Sequence, residues 1–317
     1  MLLRFMRQLG VLLLLATLAV PATMADAATH SKTRKGSRTS IGAKAKPAKG
    51  KSARAKSRGK KRGRRGAPPA GGVYARHAIL IDPATGEILF SKSSDSSVPI
   101  ASLTKLMTAM VFLEQRPHLD RMVEVTPVEI TGGGHTQLRK GEQVALGDLL
   151  HMSLMCSDNV ATRVIARESG LSGDEFVARM NRKAIELGLT GSRFVEFTGL
   201  DERNVSSASD IARLLHAAAH EPLIQEITTT KSYEFSTERR AHAIHNTNRL
   251  LYGRYDVLGG KTGFISEAGY CFATWIRSQG RDLIAVVLGA PTGATRFADA
   301  VRLIQKSTTT AVASTGP

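Results

Sequence analysis

No apolar run in this 317-residue sequence is long enough to cross a bilayer. The longest, VLLLLATLAV at 11–20, would cover about 15 Å as a helix, half of a hydrocarbon core of about 30 Å. Acidic residues are absent from 28–72, where 16 Lys and Arg stand among Gly, Ala, Ser, Thr and Pro and Ile41 is the one large apolar residue. Such a segment cannot bury enough surface to offset its ordering entropy, so it reads as a disordered basic linker. That absence also localises the formal net charge of +17: residues 73–317 carry 26 basic and 26 acidic side chains. The nucleic-acid partner suggested by the high pI therefore finds no basic bias in the globular part. A phosphate-binding loop is excluded because the glycine required five residues before Gly260 is Tyr255. A zinc-peptidase helix is excluded because Ala217 stands between His216 and His220 where glutamate is needed. Those two, and the weaker pair His242 and His245, read as ordinary surface or core histidines. There are only two cysteines, Cys156 and Cys271, which in an exported chain could form a disulfide or remain buried thiols. No internal repeat is visible, which argues against a solenoid.

What is present begins with a three-part leader. Arg4 and Arg7 precede the apolar run, and Ala25-Asp26-Ala27 supplies a small-residue cleavage site, so residues 1–27 read as a signal peptide. No cysteine lies near the cut to take a lipid, and the two arginines are not adjacent as a twin-Arg signal requires. Order is expected from Val73. Residues 78–81 and 88–90 flank a Pro- and Gly-containing turn and predict a hairpin. Leu103, Leu106, Met107, Met110 and Leu113 recur at helical spacing over 102–115 and stop before Pro117. Further helices are predicted at 146–155, 159–168, 174–187 and 209–219. The strand region is expected to start at Lys261 and to include 270–277 and 282–290, joined at Ser278-Gln279-Gly280. A last amphipathic helix covers 294–306, and 307–317 reads as a disordered tail. Strands at both ends with helices between them predict an α+β domain with a helical insertion.

Three short motifs carry chemistry. In Ser102-Leu103-Thr104-Lys105 a helical start places the serine and lysine on one face, with Cβ atoms about 5–6 Å apart. Burial would disfavour the ammonium and let Lys105 act as a base. Alone this is weak, since the linker repeats the spacing at Ser57 and Lys60. Ser157-Asp158-Asn159 at a helix end and Lys261-Thr262-Gly263 at a strand complete an ordered S-x-x-K, S-x-N, K-T-G constellation.

With these motifs the chain resembles the penicillin-recognising serine D-alanyl-D-alanine carboxypeptidases and endopeptidases of low molecular mass. The resemblance runs from about Ala78 to Gln305 through LIDPATGEILFSK, IASLTKLMTAMVFLE, LLHMSLMCSDN, FTGL and GGKTGFISEAGYC. It implies a β-lactamase/transpeptidase-like α+β fold, with an antiparallel sheet flanked by helices on both faces and an inserted all-helical lobe. Residues 73–306 would be the catalytic domain. Ser102 would be the nucleophile, Lys105 its base, and Ser157 the proton relay to the leaving amine. Asn159, Lys261, Thr262 and Gly263 would bind substrate, and the backbone N–H groups of Ser102 and Phe264 would form the oxyanion hole. The implied substrates are peptidoglycan stem peptides, with β-lactams as covalent inhibitors, and no metal or cofactor is expected. The enzyme would work in the periplasm or on the cell-envelope exterior of a bacterium, its basic arm resting on anionic envelope polymers or lipid.

Two departures bear on subtype. Where many carboxypeptidases of the family place an arginine between two asparagines, this sequence reads Asn246-Thr247-Asn248-Arg249. Together with ATRFADAVRL at 294–303 this looks more like the endopeptidase branch, which cuts cross-links. No C-terminal β-domain or amphipathic anchor helix follows 306, so a C-terminal membrane anchor is not expected. Two rival readings remain. A β-lactamase would need a deacylation base, for which Glu196 is the candidate although its E-x-x-x-N context is missing. A penicillin- or peptidoglycan-binding sensor would keep the acylation residues and lack turnover.

Overall fold

The computed structural model describes residues 72–313, with side chains to 306. The expected leader 1–27, nearly all of the linker 28–72, and 314–317 lie outside the described residues. Along the chain, β1 (His77–Ile81) and β2 (Ile88–Lys92) form the expected hairpin. The two-residue β3 (Val98–Pro99) leads to a 3-10 turn, Ala101–Leu103, and to α1 (Thr104–Glu114). Next come β4 (Met122–Glu124), the single turn α2 (Pro127–Ile130), β5 (Gln143–Ala145) and α3 (Leu146–His151). A π turn, Met152–Cys156, ends α3. Then follow α4 (Asn159–Arg167), α5 (Gly173–Glu186), β6 (Val205–Ser206), α6 (Ala208–Ala219), α7 (Pro222–Thr229), β7 (Ser232–Ser236) and β8 (Ala241–His245). The chain closes with β9 (Asp256–Ile265), β10 (Gly269–Ser278), β11 (Arg281–Ala290) and α8 (Gly293–Ala313).

The central sheet is antiparallel in the order β2-β1-β11-β10-β9. It brings the two ends of the domain together, since β1 pairs with β11. Strand β11 shows why the sheet is covered twice. Ile284, Val286 and Leu288 enter the core shared with α1, α4 and α6, while Leu283, Ala285 and Val287 enter the core beneath α8. A strand buried on both faces reads as the continuous run LIAVVL rather than an alternation. Gln279 and Gly280 both have positive φ, 53° and 77°, as a two-residue type I′ hairpin requires. Asp299 of α8 is fully buried, accepting from Tyr74 N (2.9 Å) and Ala75 N (2.7 Å) and from Arg302 Nη1 (2.6 Å). The first residues of the domain are thereby tied to its last helix.

The inserted lobe is built around α1, which is buried on all sides from Thr104 to Phe112. A helix with no solvent face must satisfy its polar side chains internally. Thr104 Oγ1 donates to Ala101 O (2.8 Å) and Thr108 Oγ1 to Phe197 O (2.6 Å).

Three expectations need correction. The lobe is not all-helical: between β2 and β9 lie the two-stranded pairs β3–β6, β4–β5 and β7–β8, strands of two to five residues paired through their backbones. The strand region starts at Asp256 rather than Lys261. Gly259 and Gly260, poor strand formers, are held by pairing with Trp275 and Thr274, and a Cβ on Gly260 would lie 2.9 Å from Ala273 O. The last helix runs to Ala313, past the expected stop at 306, because a formed helix extends at the cost of one residue per added hydrogen bond.

Candidate active site

Ser102 sits in the 3-10 turn that opens α1. The preceding Ala101 is in the left-handed region, φ 50°, a conformation that costs energy for a residue with a Cβ. Two glycines from distant segments crowd this turn. A Cβ on Gly199, itself at φ 83°, would fall 2.0 Å from Ala101 O and 2.9 Å from Ser102 N. One on Gly263 would fall 3.0 Å from both Ile100 O and Ser102 N. The loop after α5 and the edge strand β9 thus approach the serine backbone from separate walls, and only glycine permits either approach.

One helical turn on, Lys105 is fully buried. Its Nζ lies 3.0 Å from Ser102 Oγ and donates to Asn159 Oδ1 (2.7 Å) and Thr198 O (2.6 Å). Burial pulls its pKa down to about 7, opposed chiefly by the charge of Glu196. A neutral amine has two protons and one lone pair. The two carbonyl acceptors take both protons, which leaves the lone pair directed to the Ser102 hydroxyl. The group can therefore remove that proton near neutral pH.

Ser157 is delivered by the π turn. The extra residue ends α3 early and leaves Ser157 at φ 64°, after which Asp158 caps α4 by accepting from Ala161 N (2.9 Å). Asn159, first in α4, is held from the other side by donating Nδ2 to Gly133 O (3.0 Å). Lys261 reaches across from β9, nearly fully buried, and donates to Ser157 Oγ (2.8 Å) and Thr262 O (3.1 Å). Burial, reinforced by repulsion from Lys105, holds its pKa well below the ordinary lysine value. All three motifs thus meet: Lys105 joins Ser102 to Asn159, and Lys261 joins Ser157 to the K-T-G strand. Phe264 follows at the same edge, half exposed and stacked on Tyr270 with ring centroids 4.3 Å apart.

Other residues fall where sequence reasoning did not place them. Thr247, noted only as a departure, brings its Oγ1 to 2.6 Å from Thr262 Oγ1, whereas Arg249 lies over the Phe297 ring. Arg296 was missed: its Nη1 donates to Gly263 O (3.0 Å) and Cys271 O (3.4 Å) and braces the K-T-G segment. The available signal was an arginine near the start of a helix whose following Phe297, Ala300 and Leu303 are buried.

Glu196 is fully committed to its own loop. It accepts from Thr198 N and Thr198 Oγ1 (2.6 Å each), from Asn204 Nδ2 (2.9 Å) and from Gly199 N. That leaves it a loop anchor rather than a base with a free lone pair. His216 and His220 pack against Trp275 and line a cavity of about 600 Å³ with Asp82, Arg277 and Arg281, to which no motif residue contributes. His242 is buried with its Nε2 2.6 Å from Glu142 Oε1, and His245, three positions on in β8, points to the other, exposed face. Cys156 and Cys271 are both free thiols, pushed up by burial to about 12 and about 11.

Comparisons with known proteins point to one family. A family model described as D-alanyl-D-alanine carboxypeptidase matches residues 64–292. A D-alanyl-D-alanine endopeptidase of Pseudomonas aeruginosa is 39% identical over 234 residues, covering 71% of this chain and 74% of that one. One of Escherichia coli K12 is 36% identical over 236 residues, covering 73% and 76%. Among solved structures, the Streptomyces K15 DD-transpeptidase superposes with a TM-score of 0.70 at 26% identity, covering 74% of this chain and 97% of that one. Penicillin-binding protein D2 of Listeria monocytogenes in its ampicillin-bound form gives 0.63 at 29% identity, with the same coverage.

Proposed function

The chain belongs to the D-alanyl-D-alanine carboxypeptidase family, and from that membership we propose how its site divides the work. It is a serine-type D-Ala-D-Ala carboxypeptidase/endopeptidase acting on peptidoglycan. Ser102 is the nucleophile. Its Oγ attacks the carbonyl of the penultimate D-Ala while its proton passes to the neutral Lys105 amine. The backbone N–H groups of Ser102 and Phe264 stabilise the oxyanion. As the C–N bond breaks, the proton taken up by Lys105 is relayed through Ser157, hydrogen-bonded to Lys261, to the leaving amine. Lys105 thereby returns to its neutral form and Ser157 keeps its hydroxyl. Water then adds to the ester, releases the shortened stem peptide and restores the serine. Asn159 orients Lys105 and meets the substrate amide. Lys261 and Thr262 hold the carboxylate beside the leaving nitrogen, and Gly263 lets the peptide lie along the free edge of β9. A β-lactam follows the same first step but keeps its leaving nitrogen tethered, so it remains on Ser102.

One observation carries this reading: a fully buried lysine with a pKa near 7, 3.0 Å from a serine Oγ, whose other hydrogen bonds consume its protons. Cleavage of cross-links is the subtype supported by Thr247 in the asparagine pair and by two relatives that bear the endopeptidase name. Export through residues 1–27 to the periplasm or envelope exterior is supported by the leader composition. The test is intact mass after incubation with labelled penicillin, wild type beside Ser102→Ala. A single adduct is expected on the wild type and none on the variant; no adduct on the wild type, or one surviving in the variant, rejects the assignment. Digestion of cross-linked dimers beside pentapeptide monomers then separates the subtypes, and acylation with no digestion of either identifies a sensor. Rapid penicillin turnover would instead indicate a β-lactamase, against which the fully committed Glu196 counts.

A further inference from the structure

Thr262 Oγ1 has one hydrogen-bond partner among the described residues, the hydroxyl of Thr247 at 2.6 Å. Thr247 is fastened to the π turn that delivers Ser157: its N–H donates to Met155 O at 3.0 Å, and its hydroxyl reaches the same oxygen at 3.2 Å. Two hydroxyls carry two protons, and this chain can be ordered in two ways. In the first, Thr262 donates to Thr247 and Thr247 donates to Met155 O, so Thr262 offers a ligand only lone pairs. In the second, Thr247 donates to Thr262, and the Thr262 proton is free to meet a ligand oxygen. The second order gives up only the longest bond of the set, since Met155 O keeps the Thr247 N–H.

We propose that Thr247 is a positioning residue that sets the direction of the Thr262 hydroxyl, turning its proton toward a carboxylate on the leaving side of the scissile bond. The inference rests on the reading of Lys261-Thr262-Gly263 as the carboxylate subsite. A hydroxyl that itself accepts a hydrogen bond is a stronger donor, because successive bonds polarise one another. Thr247 thereby strengthens and orients the Thr262 donor without adding a charge. A ligand with a carboxylate at this place gains from the arrangement, whereas one with an esterified group, a weaker acceptor, gains little.

The test compares benzylpenicillin with its methyl ester on the full chain carrying Thr247→Ala or Thr247→Ser, two variants that differ by one oxygen. Thr247→Ala should lower the second-order acylation constant for the free acid about three- to tenfold, the span of one net hydrogen bond. The loss should appear in apparent affinity and not in the acylation rate at saturation. The methyl ester should lose less than about twofold, and Thr247→Ser should recover most of the loss, with all three proteins melting together. Equal losses for acid and ester, a loss confined to the saturated rate, or no recovery with serine would overturn this role for Thr247. A wild-type protein that takes no penicillin on Ser102 would instead overturn the functional reading beneath it.

Discussion

In the proposed mechanism Lys105 must be uncharged to take a proton from Ser102, and its burial makes that possible near neutrality. Because burial disfavours the ammonium, the pKa falls from 10.5 to about 7. The active form is therefore lost as pH drops through that value and present above it. The second-order rate of penicillin acylation should rise along a single acid limb with a midpoint near pH 7, and be about tenfold lower at pH 6 than on its plateau. A stopped-flow series from pH 5 to 9 checks this; a flat profile, or a midpoint above pH 9, would remove Lys105 from the role of base. At this scale the sequence was most readable where chemistry and spacing coincide. Ser102 and Lys105 share a helical turn, Ser157 and Asn159 flank a helix start, and Lys261-Thr262-Gly263 is contiguous. The partners that make these residues work come from far along the chain: Thr198 and Gly199 lie over 90 positions after Lys105, and Arg296 lies 33 after Gly263. Such approaches follow from tertiary packing, and no local pattern announces them. Thr247 illustrates the limit, since the sequence marks it by what it replaces and the structure by what it touches.

Elements buried on both faces were readable because their apolar runs are long, as in β10 and β11, and α4 to α6 were placed within one or two residues. The π turn was not readable, because LLHMSLMC continues a helical pattern and the departure lies in one extra residue per turn. Strands β3 to β6 are too short to carry a period, and the alternation of β7 and β8 is half polar and weak. The contact that closes the domain, between α8 and the residues before β1, was equally hidden. Val73 and Ala75 are buried with Phe297, Ala300 and Leu303, and its hydrogen bonds come from one carboxylate more than 220 positions away. Asp299→Ala would leave the half-buried N–H of Tyr74 and the buried N–H of Ala75 without their acceptor. Each such loss costs about 1–3 kcal/mol, so the unfolding free energy should fall by about 2–6 kcal/mol, read from urea midpoints at constant slope. Penicillin acylation of the still-folded variant at low denaturant should be unchanged, since Asp299 touches no motif residue. A loss below about 0.5 kcal/mol, the range of ordinary surface substitutions, would show that the end of the domain is held some other way.

Across the whole molecule, charge and catalysis are separated along the chain. The excess of +17 arises before residue 73, and the residues that meet around Ser102 all come after it. Sixteen cations in 45 residues should draw that segment to anionic envelope polymers or lipid head groups by a long-range attraction that salt screens, with a Debye length of about 10 Å at 0.1 M and about 30 Å at 0.01 M. Such attraction would concentrate the enzyme near its polymeric substrate and should leave the reaction itself untouched. Deleting residues 28–72 should therefore abolish co-sedimentation with anionic lipid vesicles at 10 mM salt, binding that the full chain should itself lose as salt rises to 200 mM. The penicillin acylation rate of the deleted form should equal that of the full chain at every salt concentration. Were acylation to fall with the arm, the arm would belong to the folded site. Were vesicle binding to survive the deletion, it would have to come from residues 73–317, whose charges cancel in total and whose attraction would then depend on a local patch rather than on net charge.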